Sequence, residues 1–174
     1  NGIQRLRCRF GCVDVLRRES QVTRINRIDG DIDALPRYVP DAFVAIEDRQ
    51  FYHHFGFNPW GIVRSLAWNA MHPNGNRRGG STITRQLARN LFLTNDQTLR
   101  RKAQEALIAL YLETRLSKDE ILAAYADRLD YGNLNRGINA AAQHYFHVSA
   151  AKLSPAQAAR LAAILPNPIR YRAA

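Results

Sequence analysis

The sequence predicts one mainly α-helical domain over residues 1–174. A length of 174 residues fits a single domain with its own hydrophobic core, and 46% hydrophobic with 23% charged residues is typical of a folded globule. From Pro40 onward, apolar residues recur at three- and four-residue spacings, and helix-capping residues separate the periodic stretches. Strand patterns are nearly absent: a short extended segment over 22–28 is expected, and residues 1–38 are otherwise unassigned.

Side chains that cap helices place the start of each element. Asn, Ser and Thr accept hydrogen bonds from the first free N–H groups of a helix, and proline fits its first turn. We expect helix starts at Pro40, Asn58–Pro59, Ser81 or Thr82, Thr98, Ser117, Ile138 and Ser154. The helix from Thr98 should run to about Leu116, and the last should end before Pro166.

The apolar periodicity predicts which helix faces are buried. The second helix should turn Ile62, Val63, Leu66, Ala67 and Ala70 inward, and the third Ile83 and Leu87. The helix from Thr98 should bury Leu99, Ala103, Ala106, Leu107 and Leu110.

The formal net charge of +10 indicates a polyanionic partner, either nucleic acid, a phosphate-bearing ligand or an acidic membrane surface. No nucleic acid is expected, because neither a recognition-helix pattern nor a series of base-stacking aromatics is present. Cys8 and Cys12 lack the neighbours of a zinc site and are interpreted as ordinary thiols.

Glu47 is the first candidate for chemistry. Phe43 and Phe51 lie four residues to either side of it, so one helical stripe would carry a carboxylate between two aromatic rings. Loss of solvation there suits a general acid or base. The alternative is a residue at the rim of the core, or one paired with Arg49.

The stretch GGSTITRQLARN, residues 79–90, is the second candidate. Glycines allow a ligand close to the backbone, and a helix start offers N–H groups with partial positive charge, so this segment suits a phosphate or pyrophosphate. The alternative is a capped helix after a flexible loop.

Glu105 is the third candidate, because cations precede it at Arg100, Arg101 and Lys102. Such a cluster can hold a leaving phosphate together with a divalent ion. An ordinary i,i+4 ion pair with Arg101 on an exposed helix face is the default explanation and requires no function.

Five ordered motifs between Val39 and Tyr171 resemble those of the family 51 glycosyltransferases, which polymerise the glycan chains of peptidoglycan. They are Glu47-Asp48-x-x-Phe51-x-x-His54-x-Gly56, Gly79–Asn90, Arg101-Lys102-x-x-Glu105-Ala106, Lys118–Tyr125 and the closing LSPAQAARLAAILPNPIRY. The family includes monofunctional enzymes and the first catalytic domain of bifunctional penicillin-binding proteins.

The resemblance implies a lysozyme-like helical lobe with a small membrane-proximal jaw lobe. It also implies lipid II as substrate, β-1,4 transfer with inversion, and release of undecaprenyl pyrophosphate. The expected partners are the nascent glycan strand, the bacterial membrane surface and other cell-wall synthesis proteins. We expect the protein at the outer face of the cytoplasmic membrane, held by an N-terminal anchor outside this sequence.

The same resemblance assigns roles to residues. Glu47 matches the catalytic base and Glu105 the second catalytic carboxylate. The resemblance leaves open whether a divalent cation, Mg²⁺ or Mn²⁺, binds at Glu105. The residues that match substrate-binding positions are Asp48, Phe51, His54, Gly80, Ser81, Thr82, Gln86, Arg89, Arg101 and Lys102.

The chain departs from the family pattern at four positions. Arg85 stands where the family has the first of two glutamines, Arg89 where it has lysine, and Ala126 and Asp127 where it has Leu-Asn. Two alternatives to polymerase activity therefore stay open. One is a lysozyme-like enzyme that cleaves finished glycan, and the other is a catalytically silent cell-wall or basic binding module.

Overall fold

The computed structural model describes residues 35–75, 79–93, 98–132 and 135–166. Within these ranges the chain forms seven α-helices and no β-strand, which confirms the mainly helical class. The α-helices are α1 Tyr38–Glu47, α2 Pro59–Met71, α3 Ile83–Phe92, α4 Leu99–Arg115, α5 Lys118–Arg128, α6 Ile138–Phe146 and α7 Pro155–Ile164. The segment predicted to be extended, at 22–28, and both cysteines lie outside the described residues.

The predicted helix starts are largely confirmed, because the caps form as expected. The side chains of Asn58, Thr82 and Thr98 each accept a hydrogen bond from the first turn of their helix. Ser117 and Ser154 form complete capping boxes with Glu120 and Gln157. Such contacts lie within four residues of one another, so they form wherever the helix forms. The first helix departs from the prediction: α1 ends at Glu47, and Phe51 belongs to a separate 3₁₀ turn, Phe51–His53.

Helix α3 lies at the centre of the fold and packs against both α4 and α5, while α1 packs against α7. Ile83 and Leu87 of α3 are fully buried, as predicted. They share the core with Phe43, Leu112 and Tyr125. Helix α3, which begins within the GGSTITRQLARN stretch, is therefore central to the packing of the protein. Its side chains contact several neighbouring elements.

The predicted inner faces of α2 and α4 are wrong. On α2, Val63 and Leu66 are exposed and Ser65 is the buried residue. On α4, Leu99, Leu107 and Leu110 are exposed. The buried face of α4 instead carries Arg101, Glu105, Ile108, Ala109, Leu112 and Glu113. The inner face thus combines ion-paired side chains with apolar ones, and the stripe that the periodicity predicted lies mostly at the surface.

Helix α2 makes only minor contacts with the other helices. It is connected to the rest of the protein at Gly80, where a Cβ atom would lie 2.8 Å from Ser65 Oγ and 3.0 Å from Ile62 Cα. Its large apolar residues are mostly at the surface: Trp60 is 77% exposed, Leu66 64% and Met71 69%. In the part of the chain that the structure describes, no helix has the length and hydropathy needed to cross a bilayer.

Candidate active site

Glu47 is the last residue of α1, and its side chain is half-buried. Gln86 of α3 donates a hydrogen bond from Nε2 to Glu47 Oε2, at 2.7 Å. The hydroxyl of Tyr125 on α5 donates to Gln86 Oε1, at 3.2 Å. Three helices thus contribute to one chain of hydrogen bonds that fixes the orientation of the Glu47 carboxylate. Among the described residues, none donates a hydrogen bond to its other oxygen.

Tyr125 is a neutral donor in this chain. Burial raises the pKa of its phenol well above the ordinary 10.0, and the negative charge of Glu47 raises it further. A neutral phenol donates its proton to the Gln86 carbonyl, which leaves the amide N–H₂ group of Gln86 facing Glu47. Tyr125 was not among the predicted site residues, although it closes the fourth sequence motif.

The segment after Glu47 is tied to the start of α3. Asp48 Oδ2 lies 2.8 Å from His54 Nε2 and accepts the backbone N–H of Ile83 at 3.3 Å. Thr82 Oγ1 donates to the carbonyl of Gly56, at 2.8 Å. These hydrogen bonds connect both ends of the segment 48–56 to the start of α3 and hold Glu47 in place.

Four of the predicted substrate-binding residues are largely enclosed by the fold. Asp48, Phe51 and Thr82 are buried, and the His54 side chain is only 8% exposed. Asp48 and Thr82 join the segment after Glu47 to the start of α3, and the role of all four residues in substrate binding stays a prediction. The predicted anion site at the helix start stays a prediction, and two of the first N–H groups of α3 already have partners within the protein. Asp48 already accepts the N–H of Ile83, and Thr82 Oγ1 accepts that of Arg85.

Glu105 of α4 is 1% exposed, so the interpretation as an exposed ion pair is wrong. Arg101 donates to Glu105 Oε1, while Arg85 Nη2 and Lys102 Nζ lie 3.3 and 3.4 Å from Oε2. One carboxylate therefore has three cationic partners. Arg85 and Arg101 are nearly buried, whereas the Lys102 side chain is about half exposed.

The two predicted carboxylates are connected through neighbouring residues of α3. Arg85 contacts Glu105 and Gln86 contacts Glu47, so one helix turn carries the partners of both acids. Ser81, Gln86 and Arg89 of the predicted set are partly exposed. The two acids have different surroundings: Glu47 is half-buried and held by a neutral amide, while Glu105 is buried and paired with cations.

Buried Glu113 and the partly exposed Lys118 form a further ion pair that the sequence did not predict. Lys118 Nζ lies 2.8 Å from Glu113 Oε1 and donates to the carbonyl of His54, at 2.7 Å. Thr84 Oγ1 also donates to Glu113, at 2.6 Å. A signal was present, since Glu113 lies eight residues after Glu105 and thus on the same helix face. Lys118 was interpreted only as part of the fourth sequence motif.

Among the residues that the structure describes, no group of three or more His, Cys, Asp or Glu side chains is arranged to hold a metal ion. The divalent cation at Glu105 therefore stays a prediction.

Comparison with known proteins identifies the family. A family model described as transglycosylase matches residues 15–174. The chain belongs to the transglycosylase family, family 51 of the glycosyltransferases. It is 50% identical over 141 residues to the biosynthetic peptidoglycan transglycosylase of Alcanivorax borkumensis, covering 81% of this chain and 57% of that protein. It is 46% identical over 140 residues to penicillin-binding protein 1A of Aquifex aeolicus, covering 80% of this chain and 19% of that protein.

A third relative is the biosynthetic peptidoglycan transglycosylase of Escherichia coli O81, with 43% identity over 141 residues. The match covers 81% of this chain and 58% of the relative. The transglycosylase chain thus spans less than two thirds of the length of each of these relatives.

Proposed function

We propose that this transglycosylase polymerises the glycan chains of peptidoglycan from lipid II, a disaccharide-pentapeptide carried on undecaprenyl pyrophosphate. The 4-hydroxyl oxygen of one GlcNAc attacks C1 of the MurNAc at the end of the growing chain. The bond between C1 and the pyrophosphate oxygen breaks, the configuration at C1 inverts to β, and undecaprenyl pyrophosphate leaves. The names of the relatives support peptidoglycan as the product.

One observation carries the proposal: two carboxylates in different surroundings are held by adjacent residues of α3. Glu47 has an oxygen available to take the proton of the attacking hydroxyl. The chain of hydrogen bonds through Gln86 and Tyr125 fixes its geometry, as efficient proton transfer requires. Glu47 is therefore the general base in this proposal.

The charge around Glu105 suits the departing group. Arg85, Arg101 and Lys102 together exceed the single negative charge of Glu105 by two, so the cluster stays positive. Positive groups held in place before the reaction stabilise charge that develops on a leaving diphosphate. In this proposal Glu105 orients the cations, and the cations stabilise the leaving group.

A lipid-linked substrate requires the site to lie near a membrane. The exposed apolar residues of α2 offer a contact surface, which we call the α2 surface: Trp60, Val63, Leu66 and Met71. Contiguous exposed apolar residues of this kind are typical of membrane or protein contact sites. The net charge of +10 would add attraction to anionic lipids. We propose that the α2 surface rests on the outer face of the cytoplasmic membrane.

The test is incubation of the protein with labelled lipid II, followed by separation of polymer from starting material on a gel. A ladder of glycan chains is expected. A lysozyme-like hydrolase would instead shorten finished glycan and leave lipid II unchanged. A silent binding module would leave both unchanged, and either result would reject the proposal.

A further inference from the structure

The surroundings of Glu105 bear on the divalent cation. Each carboxylate oxygen already has a cationic partner: Arg101 contacts Oε1, while Arg85 and Lys102 contact Oε2. The carboxylate is 1% exposed, and both guanidinium side chains are 9% exposed. These cationic partners surround the buried carboxylate and stabilise its charge.

These residues do not fit a divalent cation. Mg²⁺ and Mn²⁺ bind oxygen ligands, and a carboxylate site attracts them through net negative charge. Here three positive side chains around one carboxylate give the cluster a net charge of +2, and this charge repels a divalent cation. Within the described residues, no second or third acidic side chain joins Glu105 in a group that could hold a metal.

Arg85 supplies one of the three cations in this arrangement. The family motif that this stretch resembles has glutamine at the position, and a neutral amide would leave Lys102 as the one cation at Oε2. Arg85 Nε is buried and has no hydrogen-bond partner among the described residues. The guanidinium group therefore carries one N–H donor that no described residue uses.

We propose that Arg85 takes the electrostatic place of a divalent cation beside Glu105, so that this transglycosylase acts on its diphosphate-linked substrate without a metal. The inference rests on the proposed function for the identity of the diphosphate. The expected absence of metal binding at Glu105 does not depend on which substrate the protein uses. Arg85 is thus a positioning residue that keeps Glu105 paired and the leaving-group region positive.

The first test uses Mn²⁺ alone, titrated into metal-free protein and followed by electron paramagnetic resonance. Five proteins are compared: wild type, Arg85→Gln, the charge-conserving Arg85→Lys, Glu105→Gln, and the double variant Arg85→Gln/Glu105→Gln. We expect wild type and Arg85→Lys to show no saturable site that depends on Glu105. Arg85→Gln removes one of the three cations at Glu105 and should show a saturable Mn²⁺ site, which the double variant Arg85→Gln/Glu105→Gln should lack.

Two results overturn the inference. Saturable Mn²⁺ binding to wild type that Glu105→Gln abolishes would show that Glu105 is a metal ligand. Equal absence of binding in wild type and a folded Arg85→Gln would show that Arg85 does not determine metal binding. If Arg85→Gln does not fold, as judged by circular dichroism, the comparison of wild type with Glu105→Gln still decides whether Glu105 binds the metal.

The second test separates this inference from the proposed function. Polymerisation of lipid II by wild type should be equal in EDTA and in Mg²⁺, while Mg²⁺ should stimulate Arg85→Gln. Loss of wild-type polymerisation in EDTA, restored by Mg²⁺, overturns the inference and leaves the proposed function standing. A wild type that forms no polymer under either condition rejects the proposed function, and the Mn²⁺ titration then still decides the role of Arg85.

Discussion

At the scale of single residues, the contrast between Glu47 and Glu105 comes from their partners. Gln86 is neutral and holds Glu47 by one hydrogen bond, whereas three cations surround Glu105. The sequence predicted both acids, because each lies in a recognisable pattern. It could not predict Arg85 as a partner of Glu105, since twenty positions separate them and only the packing of α3 on α4 brings them together.

The pKa of Tyr125 makes a testable prediction about stability. Because burial and the charge of Glu47 raise this pKa above 10.0, the neutral phenol is favoured in the folded state. Its stabilising contribution is fully present below about pH 10 and is lost as the pH rises through the folded pKa. Above about pH 10 the unfolded chain loses the Tyr125 proton while the folded protein keeps it, so the free energy of unfolding should fall as the pH rises.

The measurement is urea unfolding of wild type and Tyr125→Phe between about pH 8 and 11. The variant should lose less stability over this range, because it lacks the phenol. Tyr131, whose pKa burial also raises and whose charge acts on Tyr125, is present in both proteins. Identical pH dependence in the two proteins would contradict the role assigned to Tyr125.

At the scale of elements, the ion pair Glu113–Lys118 joins α4, the start of α5 and the segment after Glu47. We expect Lys118→Met to lower the free energy of unfolding by about 3 kcal/mol, because it leaves a buried carboxylate without its cation. Adding Glu113→Gln should recover much of the loss, since a neutral amide needs no counter-charge. Urea denaturation measures both; a double variant no more stable than Lys118→Met would contradict this account.

The elements also show where sequence reasoning works. Helix starts such as Ser117 and Thr98 were predictable, because a cap and its N–H groups lie within four residues. The inner faces of α2 and α4 were not, because the pattern was interpreted on the assumption that apolar residues turn inward. On α4, Glu105 and Glu113 satisfy their charges inside the protein, and Leu107 is left at the surface.

At the scale of the whole molecule, the exposed α2 surface predicts membrane association. Leu66→Glu should weaken binding to vesicles that contain anionic lipid by about tenfold or more, because burial of one leucine contributes about 1.5–3 kcal/mol. Co-sedimentation with vesicles measures this. Leu107→Glu is the matched control, since Leu107 is 68% exposed on α4 and Leu66 is 64% exposed on α2.

The control distinguishes vesicle binding through the α2 surface from a non-specific effect of the added negative charge. Leu107→Glu should keep nearly full vesicle binding, because it introduces the same charge outside the α2 surface. An equal loss in both variants would show that charge alone reduces binding, and that α2 has no particular role at the membrane.

The central claim is that Glu47, oriented by Gln86, removes the proton from the attacking sugar hydroxyl. The most direct measurement is the rate of lipid II polymerisation by Glu47→Gln, with Asp41→Asn, an exposed acid on the same helix, as the matched control. A fall of about 10² to 10⁴-fold is predicted for Glu47→Gln, with unchanged circular dichroism and near-normal activity of Asp41→Asn. Polymerisation by Glu47→Gln at a rate close to wild type would contradict the claim.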